Sequence, residues 1–341
     1  MQISPDSFVD TYEQRLKSIG RTKEIYKRID EGNIPAGDDE IRLFVIARNE
    51  SLRLPYFLSY YFNLGVDRIF LIDNGSTDMT CDIALRATNV HIFQITESFK
   101  DFWNWIEYFL ETYGKDRWCF VVDVDELFTF PHSEKIPLKV LLHYLDQYQY
   151  TAVKSCLLDM YSKKKINNTK YMPGQDPLKA CPYFDTDFKR REQTFFDPKH
   201  MTWYKYEIIF GGMRQRIFGE IGTYKWSYCL SKNSLFKYSD DIYLAGGMHT
   251  INGARFADIH GVTFHTKFLY DFIEETEIES EREVHFCDGL EYKLYNYRIE
   301  ENPDLSLHYK GSVKYESTQQ LIDFGIIRTS KLFDLVYDSL V

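Results

Sequence analysis

Between Ile41 and Leu158 short apolar runs alternate with helix-length amphipathic segments, and this pattern restricts the fold more than any other feature of the chain. Ile41–Ala47, Arg68–Ile72, Val90–Ile95, Trp118–Val122 and Thr151–Leu158 read as strands. Leu54–Leu64, with Pro55 in its first turn, Asp78–Ala87, Trp103–Tyr113 and Leu138–Tyr148 read as helices. Strands joined by helix-length connections predict βαβ units. The expected fold class is therefore α/β, with a Rossmann-like, mainly parallel central sheet flanked by helices. Such a sheet is covered on both faces, so its strands are continuously apolar, and ligands bind beyond their carboxyl ends.

Those carboxyl ends are polar. Ile41–Ala47 runs into Arg48-Asn49-Glu50, and the strand ending at Ile72 runs into Asp73-Asn74-Gly75-Ser76-Thr77-Asp78. The apolar run Trp118–Val122 stops at Asp123-Val124-Asp125-Glu126. Turn chemistry accounts for Gly75 and for Ser76 or Thr77 as a helix cap. It does not account for Asp73, a carboxylate placed to accept hydrogen bonds from a nucleobase or ribose. Asp123 and Asp125, one residue apart, can share a hard divalent cation whose shell is completed by water and substrate phosphates.

Bulk properties narrow the function classes. At 341 residues and 44% hydrophobic content the chain supports one large α/β domain with additions, or two modest domains. A formal charge of −10 argues against a nucleic-acid partner, because polyanion binding rests on clustered Lys and Arg. No run approaches the ~18 to 20 apolar residues needed to span a bilayer, and Met1–Asp6 lacks the form of a signal peptide, so a cytoplasmic location is expected. Peripheral membrane contact stays open. The six cysteines show neither a C-x-x-C pair nor zinc-like spacing, which predicts free thiols. The 17% aromatic content suits an ordinary core as well as sugar-stacking surfaces.

Taken in order, Ala47-Arg48-Asn49-Glu50, Asp73-Asn74-Gly75-Ser76-Thr77-Asp78 and Asp123-Val124-Asp125-Glu126 resemble glycosyltransferase family 2 with the GT-A fold, in particular its bacterial branch carrying R-N-E and D-x-D-E motifs. The resemblance is strong over Ile41–Leu158 and looser over Gly211–Arg216 and Phe264–Leu269. It implies transfer of a sugar from a nucleoside-diphosphate-sugar donor to a saccharide or lipid-linked glycan acceptor, with inversion and with Mn²⁺ or Mg²⁺. It implies that Asp73 meets the nucleoside, with Arg48, Asn49, Glu50, Asn74 and Val124 completing the donor-binding set. Asp123 and Asp125 would hold the metal, His265 would be its third ligand, and Lys267 would meet the phosphates. His249 is a weaker match for the third ligand. Arg214 and Arg216, alternating after Gly211-Gly212, would meet phosphate or acceptor, or form a solvated strand face. For the base, Asp159 at the end of a strand comes first, then Asp185 and Glu220.

The division that follows has an N-terminal helical appendage at 1–40, with a helix around Phe8–Lys17 and a break at Gly32–Gly37. Next comes a GT-A domain at 41–270, split into a nucleotide-sugar half (41–160) and an acceptor half (161–270). A C-terminal helical extension occupies 271–341, opening with acidic helical sequence over Asp271–Glu283. Beyond Tyr161 the strand and helix regularity fades into irregular aromatic stretches, which predicts acceptor and lid elements. Ser162–Met201 and Tyr224–Ala245 are expected to set donor and acceptor choice. Two other functions fit parts of the pattern. A phosphohydrolase of the haloacid dehalogenase type also ends a strand in D-x-D, although Glu126-Leu127 departs from that motif and Asp73 and Arg48 would have no role. A non-catalytic nucleotide-sugar-binding protein would keep the fold without the chemistry.

Overall fold

A computed structural model of the chain describes residues 5–37, 39–221, 224, 225 and 227–340. Residues 1–4 of the appendage, position 226 within Tyr224–Ala245, and Val341 therefore lie outside the described residues, as does the side chain of Cys287. Nine strands form the central sheet. Across it they run Lys27–Arg28, Val90–Gln94, Arg68–Asp73, Arg42–Ala47, Trp118–Val121, Ser231–Lys237, Ala152–Asp159, Phe256–His265 and Glu126–Thr129. Lys27–Arg28, Ser231–Lys237 and Glu126–Thr129 run antiparallel to their neighbours and the other six point one way, so the sheet is mainly parallel.

Period-two alternation sends successive side chains of each strand to opposite faces, and both faces are covered. Leu43, Val45, Ile69 and Leu71 pack with Phe57, Leu58 and Tyr61 of the helix Leu54–Leu64. Phe44, Phe70 and Phe93 pack on the other side with Trp105 and Phe109 of the helix Phe102–Tyr113. The Phe44 and Phe70 rings stack at 4.9 Å. Each such side chain contributes about 1.5–3 kcal/mol by leaving water. The predicted α/β, Rossmann-like layering is thus present, with element ends shifted by one or two residues from the expected ones.

Three parts differ from expectation. Region 161–270 is not irregular: it supplies Ser231–Lys237 and Phe256–His265 to the same sheet, plus a hairpin of Phe188–Asp197 with Thr202–Gly211. Ser231–Lys237 and Phe256–His265 pair with strands far back in the chain, which periodicity over a short window does not register, whereas the hairpin is local. The segment Gly212–Phe218 is a helix rather than a strand face. Finally, the N-terminal helix spans Pro5–Ile25 and is tied to the domain, because Arg15 pairs with Glu107 and Asn104 Nδ2 donates to Ser18 Oγ at 2.9 Å.

At the other end, the helices Phe272–Arg282 and Phe286–Glu301 pack on each other and against the edge where the strands end. Among the described residues no helix is long and apolar enough to cross a membrane.

Candidate functional site

Ala152–Asp159 and Phe256–His265 are parallel and in register, so Asp159 and His265 are partners at the carboxyl ends of adjacent strands. His265 Nδ1 lies 2.7 Å from Asp159 Oδ1, and its Nε2 lies 3.2 Å from Asp125 Oδ2. Asp125 arrives from the next connection. After Val121 the chain turns at residues 123–126, closed by Glu126 N donating to Asp123 O at 3.0 Å, and then pairs antiparallel with Phe256–His265. Thr266 donates its N–H and its Oγ1 to Asp125 O at 2.8 and 3.0 Å, which fixes the D-x-D segment against the histidine.

Burial alone would lower the His265 pKa, but Asp125 and Asp159 overcome it and raise it to about 9. Burial pushes the Asp125 carboxyl up; His265, then Lys267 and Arg53, outweigh that and hold it well below the usual range. Asp159 is likewise lowered, burial being outweighed by Arg214 and His265. The result is a carboxylate–imidazole–carboxylate line with the imidazole charged.

Cations surround this line. Arg214 Nε donates to Asp159 Oδ2 at 3.0 Å and its Nη1 to Glu291 Oε1 at 3.1 Å. Lys267 Nζ donates to Tyr292 Oη at 2.6 Å and lies 3.2 Å from Glu275. Arg53 is bidentate to Asp271 at 2.7 and 3.0 Å and donates to Lys267 O at 3.2 Å. Arg53 and Arg214 have side chains only 7% exposed, yet Arg53 Nε and Arg214 Nη2 have no hydrogen-bond partner, and neither does Glu50 Oε2. Buried donors left unmatched each cost about 1–3 kcal/mol unless something polar reaches them.

The D-x-D-E turn has a second layer. Lys232 Nζ lies 2.7 Å from Glu126 Oε1 and 3.3 Å from Asp123 Oδ2, while Asp123 N donates to Glu126 Oε2 at 3.0 Å. Burial raises the Glu126 carboxyl to about 7 against the pull of Lys232. Asp123 itself is 62% exposed and faces outward beside the buried pair.

The first two strand ends form a neighbouring cradle. Asn49, at φ 55°, accepts from Thr77 N at 2.8 Å and donates its own N–H to Ser76 Oγ at 3.0 Å. Glu50 N donates to Thr80 Oγ1 at 2.7 Å, and Arg48 Nη1 to Asn74 O at 2.8 Å. Asp73 is fully buried and accepts from Ser76 N at 3.1 Å and Gln94 Nε2 at 3.1 Å. Its carboxylate therefore caps its own turn. Asn74 Nδ2 is held by Ile95 O and Glu97 O, with Oδ1 buried and unpartnered.

Of the residues singled out from sequence, Asp125, Asp159, His265, Arg214 and Lys267 meet in one cluster, and Asp123 and Val124 belong to its turn. Arg48, Asn49, Glu50, Asp73 and Asn74 form the adjacent cradle. Asp185 is elsewhere, buried with Arg216 Nε at 2.7 Å and with Tyr161. On a helix, Arg214 and Arg216 point to different sides, which is why one reaches Asp159 and the other Asp185. His249 Nδ1 is bound to Ser231 O at 2.7 Å, and Glu220 opens a two-residue strand. Sequence reading missed Arg53, Lys232, Glu275, Glu291 and Tyr292. Arg53, three residues after Glu50, carried a local signal; Lys232 and the helix residues carried none.

Among the described residues no group of three or more His, Cys, Asp or Glu side chains converges as a ready metal cage. The donor chemistry nevertheless fits a divalent ion. Asp125 and His265 bring a carboxylate oxygen and an imidazole nitrogen side by side, and Asp159 holds the far ring nitrogen, the arrangement that orients metal-bound histidines.

No family model and no curated protein matches the chain. Among solved structures it is similar to glucosyl-3-phosphoglycerate synthase from Mycobacterium tuberculosis in complex with Mn²⁺, UDP and glucosyl-3-phosphoglycerate, at 18% identity and TM-score 0.25, covering 38% of this chain and 51% of that one. It is also similar to a 4-diphosphocytidyl-2C-methyl-D-erythritol synthase, at 12% identity and TM-score 0.25, covering 40% and 66%. The UTP-bound UGPase of Acinetobacter baumannii gives 10% identity and TM-score 0.31, covering 75% and 98%. The chain spans about half the length of the first of these. Likeness at this level assigns neither family nor activity.

Proposed function

We propose that the chain is a metal-dependent glycosyltransferase that takes a nucleoside-diphosphate sugar and passes the sugar to a saccharide or lipid-linked glycan. The observation that carries this reading is the in-register Asp159–His265 pair aimed at Asp125, ringed by Arg53, Arg214 and Lys267. Asp125 and His265 would hold Mn²⁺ or Mg²⁺, joined by the exposed Asp123. Such an ion offsets charge that develops on a departing diphosphate.

The chain's own residues supply the rest. Arg53 Nε and Arg214 Nη2, buried and unpartnered, are donors suited to phosphate oxygens, where charge-assisted hydrogen bonds are strongest. Lys267, beside Glu275 and Tyr292, supplies a further cation on the same side. The exposed rim of the cradle, Arg48, Asn49 and Thr77, offers an edge for the nucleoside, and buried Asp73 holds the turn beneath it. In this reading Asp159 is a positioning residue rather than the base, because both its oxygens are taken by His265 and Arg214.

Calorimetry of UDP, GDP and their sugars, with and without Mn²⁺, tests the proposal. Metal-dependent binding of at least one nucleotide is expected in the intact chain. Release of phosphate from phosphomonoesters without nucleotide binding would instead favour the phosphohydrolase.

A further inference from the structure

A cavity away from the D-x-D turn opens beside Tyr161. It has a volume of about 670 Å³ and is built from the loop that follows Tyr161, between Ser162 and Tyr183. Pockets of ~300–1,000 Å³ are the size that takes a small ligand. Four lysines line it, Lys163, Lys164, Lys170 and Lys179, against a single acid, Asp176.

None of the four has an ion-pair partner among the described residues, although other exposed lysines do: neighbouring Lys165, for one, is paired with Asp304 at 2.7 Å. Asp176 Oδ1 is engaged by Leu178 N at 2.9 Å, so the one carboxylate is already used as a helix cap. In a chain of formal charge −10, a concave wall with four unpaired ammonium groups stands out. Like charges brought together around a concavity repel one another and raise the local concentration of anions.

The cavity is joined to the site described above. Thr169 O, in its wall, accepts from Tyr270 N at 3.1 Å, and Cys181, between the lining residues Ala180 and Pro182, donates Sγ to Phe268 O at 3.7 Å. Both contacts are made to the segment that begins with His265 and Lys267. We infer that this cavity receives the acceptor of the proposed transfer, and that the acceptor carries a phosphate or other anionic group, which the four lysines recognise. This rests on the transferase reading for the word acceptor; the anion site itself does not.

The test uses the full chain. Glucose 6-phosphate and neutral glucose are titrated calorimetrically without metal. Vesicles of phosphatidylcholine, with and without phosphatidic acid, are sedimented with the protein. The intact chain is expected to bind the phosphorylated sugar or the anionic vesicles, not their neutral counterparts, and more weakly as salt rises. Replacing all four with glutamine (Lys163→Gln, Lys164→Gln, Lys170→Gln, Lys179→Gln) should weaken that binding by tenfold or more, roughly the loss of one good charged contact. The lysines are exposed, so an unchanged melting temperature identifies the loss as local. Response to the sugar phosphate alone identifies a soluble acceptor, and response to the vesicles alone identifies a lipid headgroup. Equal binding of neutral and anionic probes, no binding of either, or undiminished binding by the variant overturns the inference. UDP titrated with Mn²⁺ into the same samples reports the donor site separately, so failure there with anion binding intact counts only against the transferase.

Discussion

His265 and Asp159 face each other across two parallel strands, with Nδ1 of the imidazole 2.7 Å from Oδ1 of the carboxylate. The register of the sheet, not a loop, sets that distance, so the ring is held with its other nitrogen toward Asp125. If Asp159 orients a metal-binding histidine, Asp159→Asn should weaken Mn²⁺ binding by about 10- to 100-fold, while Asp125→Ala should remove it. Mn²⁺ titration monitored by paramagnetic resonance or calorimetry checks both. An Asp159→Asn variant that folds and binds Mn²⁺ as the parent does would show that the pair is only structural.

His265 must lose a proton to accept a metal ion, and its pKa is raised to about 9 by the flanking carboxylates. Metal binding at pH 7 should therefore release a proton, and affinity should fall as pH is lowered. Calorimetry in two buffers of different ionisation enthalpy reads the proton directly. Equal apparent enthalpies in both would count against His265 as ligand.

Lys232 and Glu126 form an ion pair whose side chains are 4% and 1% exposed. Removing one partner strands the other without compensation. Lys232→Met should destabilise the chain by about 3–5 kcal/mol, and adding Glu126→Gln should restore part of it. Urea denaturation of the single and double variants measures the coupling.

His260, on the strand that ends at His265, has its pKa lowered to about 4 by burial, with Arg328 and Lys154 adding to it. The unfolded chain protonates this histidine near the ordinary value of about 6.5, so it takes up protons first as pH falls. The stabilising contribution is therefore complete above pH ~6.5 and is lost progressively down to about pH 4. His260→Gln should flatten the fall in melting temperature between these limits, which thermal scans across pH would reveal.

Gly211 sits at φ +112°, where a Cβ would come within 2.4 Å of Asp187 O, and it precedes the helix that presents Arg214. Gly211→Ala meets both a disfavoured dihedral and a clash with backbone. It should cost at least about 1 kcal/mol. It should also weaken nucleotide binding through displaced Arg214, whereas Gly20→Ala, in helical backbone with open space around its Cβ, should leave binding alone.

Local chemistry made the first half of the fold legible. The strands and helices between Ile41 and Leu158 repeat their periodicity within windows of ten residues or so, and the polar residues after Ala47, Ile72 and Val122 stand where a parallel sheet puts its ligands. Asp125, His265 and Lys267 could be named because they lie in short motifs. Glu275, Glu291 and Tyr292 could not, since their roles arise from the C-terminal helices folding back over the strand ends, and Arg53, though marked by its place after Glu50, finds its partners Asp271 and Glu275 there too. Of the two readings open for Arg214 and Arg216, the solvated strand face failed for a related reason: alternation of Arg with other residues fits a strand, but Gly211-Gly212 in left-handed backbone starts a helix there. Ser231–Lys237 and Phe256–His265 pair with segments about a hundred residues away, and no short-range pattern carries that information.

The central claim is that Asp125 and His265 bind one divalent ion together with a nucleoside diphosphate. Titration of UDP and GDP into the intact chain and into Asp125→Ala and His265→Ala, each with Mn²⁺ and with EDTA, tests it most directly. The account predicts nucleotide binding that needs Mn²⁺ in the intact chain and is lost in both variants while their melting temperatures remain measurable and cooperative. Nucleotide binding of equal strength in EDTA, or retained in both variants, would contradict it.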